Sequence, residues 1–269
     1  MKRRSWVHAW GIGGAACCFF MGSAFATQRS MLAKDPLNAG LIHRWQFDGN
    51  CFDSVGNLST KPVGPVGYTE VGSGKGIVFD GSTTGMVLPP EKDMQFQASF
   101  SISVWANLFA RPSASHMWSA IIFDGDDRPG LDPYALQADP NGKIQFLITG
   151  AGGASTLDAP IPLNTFVYLT ATYNKQTGIQ SFYENGKLVN QATGVPNLTP
   201  VVGLDGNQNP GIGIGTNNAF PKSSYHFGWN GILSDLRIYN RALTPAEALE
   251  LFHRGVTRPL GTKINPINP

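Results

Sequence analysis

From Leu41 to Tyr239 the chain is a succession of short runs that alternate apolar with polar residues, broken at close intervals by Gly, Pro, Asn and Asp, with almost no stretch of helical period. Alternation with a period of two places one face of each run against a core and the other toward solvent. Phe100-Ser-Ile-Ser-Val-Trp105 is the clearest case. Further strands are expected over Leu41–Phe47, Gly76–Asp80, Met86–Leu88, Ala120–Phe123, Tyr134–Gln137, Lys143–Ile148, Thr165–Tyr173, Ile179–Glu184, Lys187–Gln191, Gly211–Gly215 and Gly231–Tyr239. Eleven or twelve strands in one chain predict an all-β, two-sheet antiparallel sandwich.

Turn chemistry supports antiparallel neighbours. Asn185-Gly186 accepts positive φ at both central positions of a two-residue hairpin, and Asp139-Pro-Asn141-Gly142 is a second turn. Gly76–Asp80 and Met86–Leu88 are read as a pair around Gly81–Gly85. One short C-terminal helix is expected, because Thr244-Pro245-Ala246-Glu247 supplies an N-cap, a first-turn Pro and a capping-box Glu before an apolar run ending at Phe252. The sandwich then spans residues 41–256, preceded by a linker over 27–40 and followed by an irregular, Pro- and Asn-rich tail over 257–269.

The N-terminus has a different character. Lys2-Arg3-Arg4 precedes a run of apolar and small residues that closes on Ala24-Phe25-Ala26, which reads as a signal peptide over residues 1–26. Arg3-Arg4-Ser5-Trp6-Val7 also resembles a twin-arginine signal, so the general secretory and twin-arginine routes both stand. The expected location is secreted or periplasmic, at the cell envelope, with no transmembrane domain in the mature chain. Without Lys2, Arg3 and Arg4 the chain carries 17 basic against 18 acidic residues, which leaves no basic stripe for nucleic acid. Cleavage also removes Cys17 and Cys18, so Cys51 is left alone and no internal disulfide is possible.

The residues that enzyme chemistry requires have little support in the sequence. Five Glu occur, and none forms the E-x-D-x-x-E strand of a paired-carboxylate glycosidase. There is no G-x-S-x-G, and the Gly211-Ile-Gly213-Ile-Gly215 run lacks the helix a phosphate site needs, so it is better read as a strand closely approached by another backbone.

The order of the motifs carries a resemblance. Trp45-Gln-Phe47-Asp48-Gly49-Asn50, Asp53-Ser-Val-Gly56-Asn57, Ile77-Val-Phe79-Asp80-Gly81, Phe100–Trp105, Tyr183-Glu-Asn185-Gly186-Lys-Leu188 and Gly231-Ile-Leu-Ser-Asp235-Leu-Arg237-Ile-Tyr239-Asn240-Arg241 resemble the laminin G-like, concanavalin A-like jelly-roll domains over about Leu41–Phe252. The resemblance implies two antiparallel sheets, export, a recognition role and often a bound calcium where the first strand meets the last. Asp48 and Asp235 are the candidate metal ligands carried over from it. The competing reading has the Asp53 and Asp80 motifs as ordinary turns in which Asp bonds its own backbone.

Two loops offer recognition chemistry. The acidic stretch Phe123–Arg128 with Asp132 and Tyr134 presents Asp126 and Asp127 for sugar hydroxyls or a cation and Tyr134 for stacking, or else is a solvated connection. Asn217–Asn230 is long, polar and aromatic, with Asn217, Tyr225 and Trp229 as ligand candidates, although Trp229 fits equally well as a cover for the core. The expected function is a non-catalytic recognition module for a glycan or surface component, assisted by calcium. The alternatives are a glycan-cleaving enzyme with an acidic pair around Asp124–Asp132, and a protein-binding or envelope scaffold domain.

Overall fold

The computed structural model describes residues 35–58, 60, 62–88, 92–113, 117–125, 132–150, 153–194, 211–217, 221 and 227–256. The chain divides into two units, residues 1–39 and 40–269. In the first, a 3-10 turn over Pro36–Asn38 is capped by Asp35, whose Oδ1 accepts from the Leu37 amide at 3.1 Å.

The second unit holds strands β1 Leu41–Trp45, β2 Pro62–Val63, β3 Gly67–Val71, β4 Gly74–Asp80, β5 Gly85–Leu88, β6 Phe100–Leu108, β7 Ser119–Asp124, β8 Tyr134–Ala138, β9 Lys143–Gly150, β10 Gly153–Pro160, β11 Val167–Asn174, β12 Ile179–Glu184, β13 Lys187–Ala192, β14 Ile212–Ile214 and β15 Asn230–Tyr239, then helix α1 Pro245–Val256. They form an eight-stranded sheet, β13-β12-β11-β6-β15-β4-β3 with β1 also on β15, and a seven-stranded sheet, β10-β9-β8-β7-β14-β5-β2. Each strand pairing is antiparallel, as in the expected sandwich.

Strand parity builds the core. Phe100, Ile102, Val104, Ala106 and Leu108 of β6 point inward against Ile144, Phe146 and Ile148 of β9, all fully buried. The opposite face of β6 carries Ser101, Ser103 and Trp105. Trp105 therefore belongs to the outer face of the eight-stranded sheet, where α1 covers it: its ring lies 5.0 Å from Tyr168 and 5.8 Å from Phe252. The two sheets are joined at their edges by Gln180 Nε2 donating to the Phe146 carbonyl at 3.0 Å and by Asn190 Nδ2 donating to the Asp158 carbonyl at 2.9 Å.

The β12–β13 hairpin turns on Asn185 and Gly186, both with positive φ. The capping box also forms, with the Thr244 amide donating to Glu247 Oε2 at 2.8 Å and the Glu247 amide donating to Thr244 Oγ1 at 3.2 Å. One pairing differs from the sequence expectation: β4 and β5 are not hairpin partners but lie in different sheets. The cause is Asp80. Its Oδ1 accepts from the amides of Ser82, Thr83 and Thr84 at 2.9, 2.7 and 3.0 Å, which curls the chain across the end of the sandwich instead of back along β4.

Candidate functional site

The Asp80 turn makes one wall of a cleft of ≈ 310 Å³ at that end of the sandwich. Arg111 and Ser113, just after β6, Trp118, just before β7, and Asn230, at the start of β15, complete it. The floor is fixed by backbone bonds: Phe109 N donates to Asn230 O at 2.8 Å, Trp229 N to Gly215 O at 2.9 Å, and Ala120 N to Phe227 O at 2.7 Å. Ser119 Oγ adds a bond to the Gly228 carbonyl at 2.8 Å. Gly81 has φ +80°, and a Cβ there would lie 2.8 Å from Asn230 Cβ, so only glycine keeps the turn closed against β15.

The cleft's chemistry divides cleanly. Trp118 is half-buried, one side packed on the Ala120, Ala135, Phe123 and Phe227 cluster outside the seven-stranded sheet and the other lining the cleft. Asp80 is the carboxylate among the described lining residues, but its oxygens are taken by its own turn, including Thr84 Oγ1 at 2.8 Å and Thr83 Oγ1. Burial would raise its pKa; the hydrogen bonds from Thr83, Ser82 and Thr84 outweigh that and hold it well below the usual carboxylate range. The Arg111 guanidinium, the Asn230 carboxamide and the Ser82 hydroxyl make no hydrogen bond among the described residues and are left for solvent or a ligand.

The ligand residues expected from sequence fare differently. Asp126, Asp127 and Tyr225 lie outside the described residues. Tyr134 is 0% exposed, held among Phe96 and Phe100 at 5.1 and 5.5 Å, so it has no ring face to offer a sugar. Trp229 is likewise 0% exposed and part of the core. Asn217 is buried where the chain folds back over Gly213, whose Cβ would lie 2.2 Å from the Thr216 carbonyl oxygen, as the close-approach reading of the glycine run anticipates.

The carried-over metal pair does not fit a cation. Asp235 Oδ1 accepts from Arg44 Nε at 2.7 Å and Oδ2 from Arg237 Nη2 at 2.7 Å, so two guanidinium groups occupy the places a cation would take. Burial would raise the Asp235 pKa, but the charges of Arg237 and Arg44 bring it down overall. Asp48 sits on an exposed turn. Among the described residues no group of three or more His, Cys, Asp or Glu side chains is arranged to hold a metal.

The Asp124–Asp132 pair is also placed. Asp124 is 2% exposed, and burial, with the Asp132 charge second, pushes its carboxyl well above the usual range. It lies at the far end of β7 from Trp118, roughly 20 Å along the strand at ~3.4 Å per residue.

Trp118 and Arg111 are the residues that strand periodicity does not reveal. The available signal is that Arg111-Pro-Ser-Ala-Ser-His-Met-Trp118 shows no alternation yet carries an aromatic and a cation immediately before a buried strand.

A two-sheet antiparallel sandwich of this kind is the fold class of the concanavalin A-like domains, and the comparisons agree. Residues 80–248 match the concanavalin A-like lectin/glucanases superfamily, and the chain belongs to that family. No curated protein matches the sequence. Among solved structures, domain 4 of the GH43 extracellular arabinanase AbnA from Geobacillus stearothermophilus, in complex with arabinotriose, is 22% identical with a TM-score of 0.58, covering 79% of this chain and 98% of that one. The binding domain of botulinum neurotoxin DC in complex with SialylT is 17% identical, with a TM-score of 0.60 over 81% of this chain and 52% of that one. A botulinum neurotoxin type C structure described for its interaction with two ganglioside molecules is 18% identical with a TM-score of 0.61, over 81% and 52%. The chain thus spans about half the length of the toxin structures it matches, and at these identities the likeness is one of fold.

Proposed function

We propose that the chain is a non-catalytic, exported recognition domain that binds a glycan in the Trp118 cleft. The observation that carries this reading is the juxtaposition of a half-buried indole that lines the cleft with an amide, a hydroxyl and a guanidinium that make no hydrogen bond among the described residues. A pyranose offers the complement: an apolar face for the indole and a rim of hydroxyls for the polar groups. The fold neighbours carrying arabinotriose and SialylT in their complexes support a saccharide as the ligand class. Export is supported by the leader-like residues 1–26. Among the described residues no helix is long and apolar enough to cross a membrane.

The cleft works by positioning alone. The Asp80 carboxylate is committed to its turn, and Asp124 is enclosed at the other end of β7, so neither serves as acid or base toward a sugar in the cleft. Screening the purified domain against a glycan array, with Trp118→Ala alongside, tests the reading. Binding that the substitution reduces at least tenfold supports it; binding unaffected by the substitution, or release of reducing sugar from a bound polysaccharide, rejects it.

A further inference from the structure

The geometry points to a negatively charged saccharide, one bearing carboxylates, as the ligand of the cleft, with Arg111 as the group that reads the charge; this rests on the glycan reading given above. An exposed arginine is ordinarily solvated, and its strongest, bidentate bonds are made to carboxylate or phosphate oxygens. Arg111 makes neither bond among the described residues, and its side chain is exposed. It lies across the turn between β8 and β9, where Gly142 has φ +84° and a Cβ would fall 2.5 Å from Arg111 Nη2 and 2.6 Å from its Cζ. The bare glycine backbone makes the space in which the guanidinium rests.

Two carboxylates of the turns around the cleft are occupied. Asp139, in the same turn, accepts from the amides of Asn141 and Lys143 at 2.9 and 2.8 Å. Asp80, across the cleft, is saturated by its own loop. A guanidinium with no hydrogen bond among the described residues, lying over a bare glycine and beside an aromatic surface, is a receptor for a planar anion, because its two parallel N–H groups match the two oxygens of a carboxylate. Ser82 and Asn230, which line the same cleft, supply a hydroxyl and a carboxamide suited to the neighbouring sugar hydroxyls. A neutral sugar would leave the guanidinium with water alone, and a cationic one would be repelled.

The experiment is a calorimetric titration of the full chain with an oligogalacturonide and with the same oligosaccharide as its methyl ester, followed by Arg111→Gln and Trp118→Ala. The expected result is that the acid binds roughly 10–100-fold more tightly than the ester, since a charge-assisted hydrogen-bonded pair contributes on that scale. In Arg111→Gln the ratio of the two Kd values falls to about one. A sulfated galactan oligosaccharide and its desulfated form, run in parallel, distinguish carboxylate from general anion recognition: equal discrimination there would overturn the carboxylate assignment. Equal binding of acid and ester by the native chain, or an acid preference that survives Arg111→Gln, would also overturn the inference. If neutral glycans bind in a Trp118-dependent manner and acidic ones do not, this inference fails and the glycan reading stands. If no saccharide binds through Trp118, the glycan reading itself fails.

Discussion

Replacing Asp53 by Asn removes the charge around which the first loop of the sandwich is organised. The Asp53 side chain is 0% exposed. Its Oδ1 accepts from the amides of Arg44, Val55 and Gly56 at 2.9, 3.0 and 2.9 Å, and its Oδ2 meets His43 Nδ1 at 2.7 Å. On its other side, His43 Nε2 lies 3.3 Å from Asp93, so the imidazole is held between two carboxylates while its ring stacks 5.6 Å from Trp45. The site is closed by Gly56, where a Cβ would fall 2.2 Å from His43 Nδ1. Burial alone would lower the His43 pKa, but the hydrogen bond to Asp53 and the charges of Asp93 and Asp53 raise it. For Asp53, burial would raise the pKa, and the bonds from His43 and the backbone amides carry it far below the ordinary value. An amide keeps one acceptor and turns the other into a donor facing donors, while leaving the buried imidazole without its carboxylate partner. The loss expected for breaking such a pair is about 3–5 kcal/mol.

The pH dependence follows from the two signs. Asp53, with a lowered folded pKa, contributes stability that is present above its unfolded value of about 3.9 and lost as pH falls through the folded one. His43, with a raised folded pKa, contributes stability that is present below about 6.5 and lost as pH rises through the folded one. Urea unfolding followed by tryptophan fluorescence across this range should show a maximum between those limits in the native chain. In Asp53→Asn both slopes flatten and the midpoint falls throughout. A loss below about 1 kcal/mol, or unchanged slopes, would refute the reasoning.

Two further outcomes follow from buried charges. Asp124→Asn should stabilise the domain at neutral pH and not near pH ~3, because a carboxyl with a raised folded pKa contributes stability that is lost as pH rises above its unfolded value; equal unfolding midpoints at neutral pH would contradict this. Asp235→Asn leaves Arg44 and Arg237 facing each other and should cost on the order of 3 kcal/mol, equally in calcium and in chelator. A loss confined to calcium would show that the carboxylate serves a metal instead.

Local chemistry carried most of the strands, the Asn185-Gly186 hairpin and the helix cap, because each is decided within a few residues by φ preference or by a single side-chain bond, whereas β2, β3 and β10, the last two half-exposed and weakly alternating, went unread. The destination of β4 and β5 was not local: Gly81–Gly85 has a hairpin's composition, and only the Asp80 hub, bonding three successive amides, turns the chain toward the other sheet. Tyr134 was legible in part, since it shares parity with the inward Leu136 and Ala138, but its acidic neighbours suggested a rim. Trp229 lies outside strand alternation, so its core position depends on the Gly215 carbonyl that fixes its backbone, a contact between distant segments. Asp235 was found as a residue and misread in role, because its partner Arg44 stands 191 positions away and no pattern along the chain shows that two guanidinium groups converge on it. The cleft is of the same kind: Asp80, Arg111, Trp118 and Asn230 meet only through the packing of strand ends.

The most direct test of the recognition reading is a crystal structure of the domain with the tightest glycan-array ligand soaked or co-crystallised. The account predicts a sugar ring lying against Trp118 with hydroxyls within bonding distance of Ser82 and Asn230. A ligand seated elsewhere, with the Trp118 cleft holding only water, would contradict it.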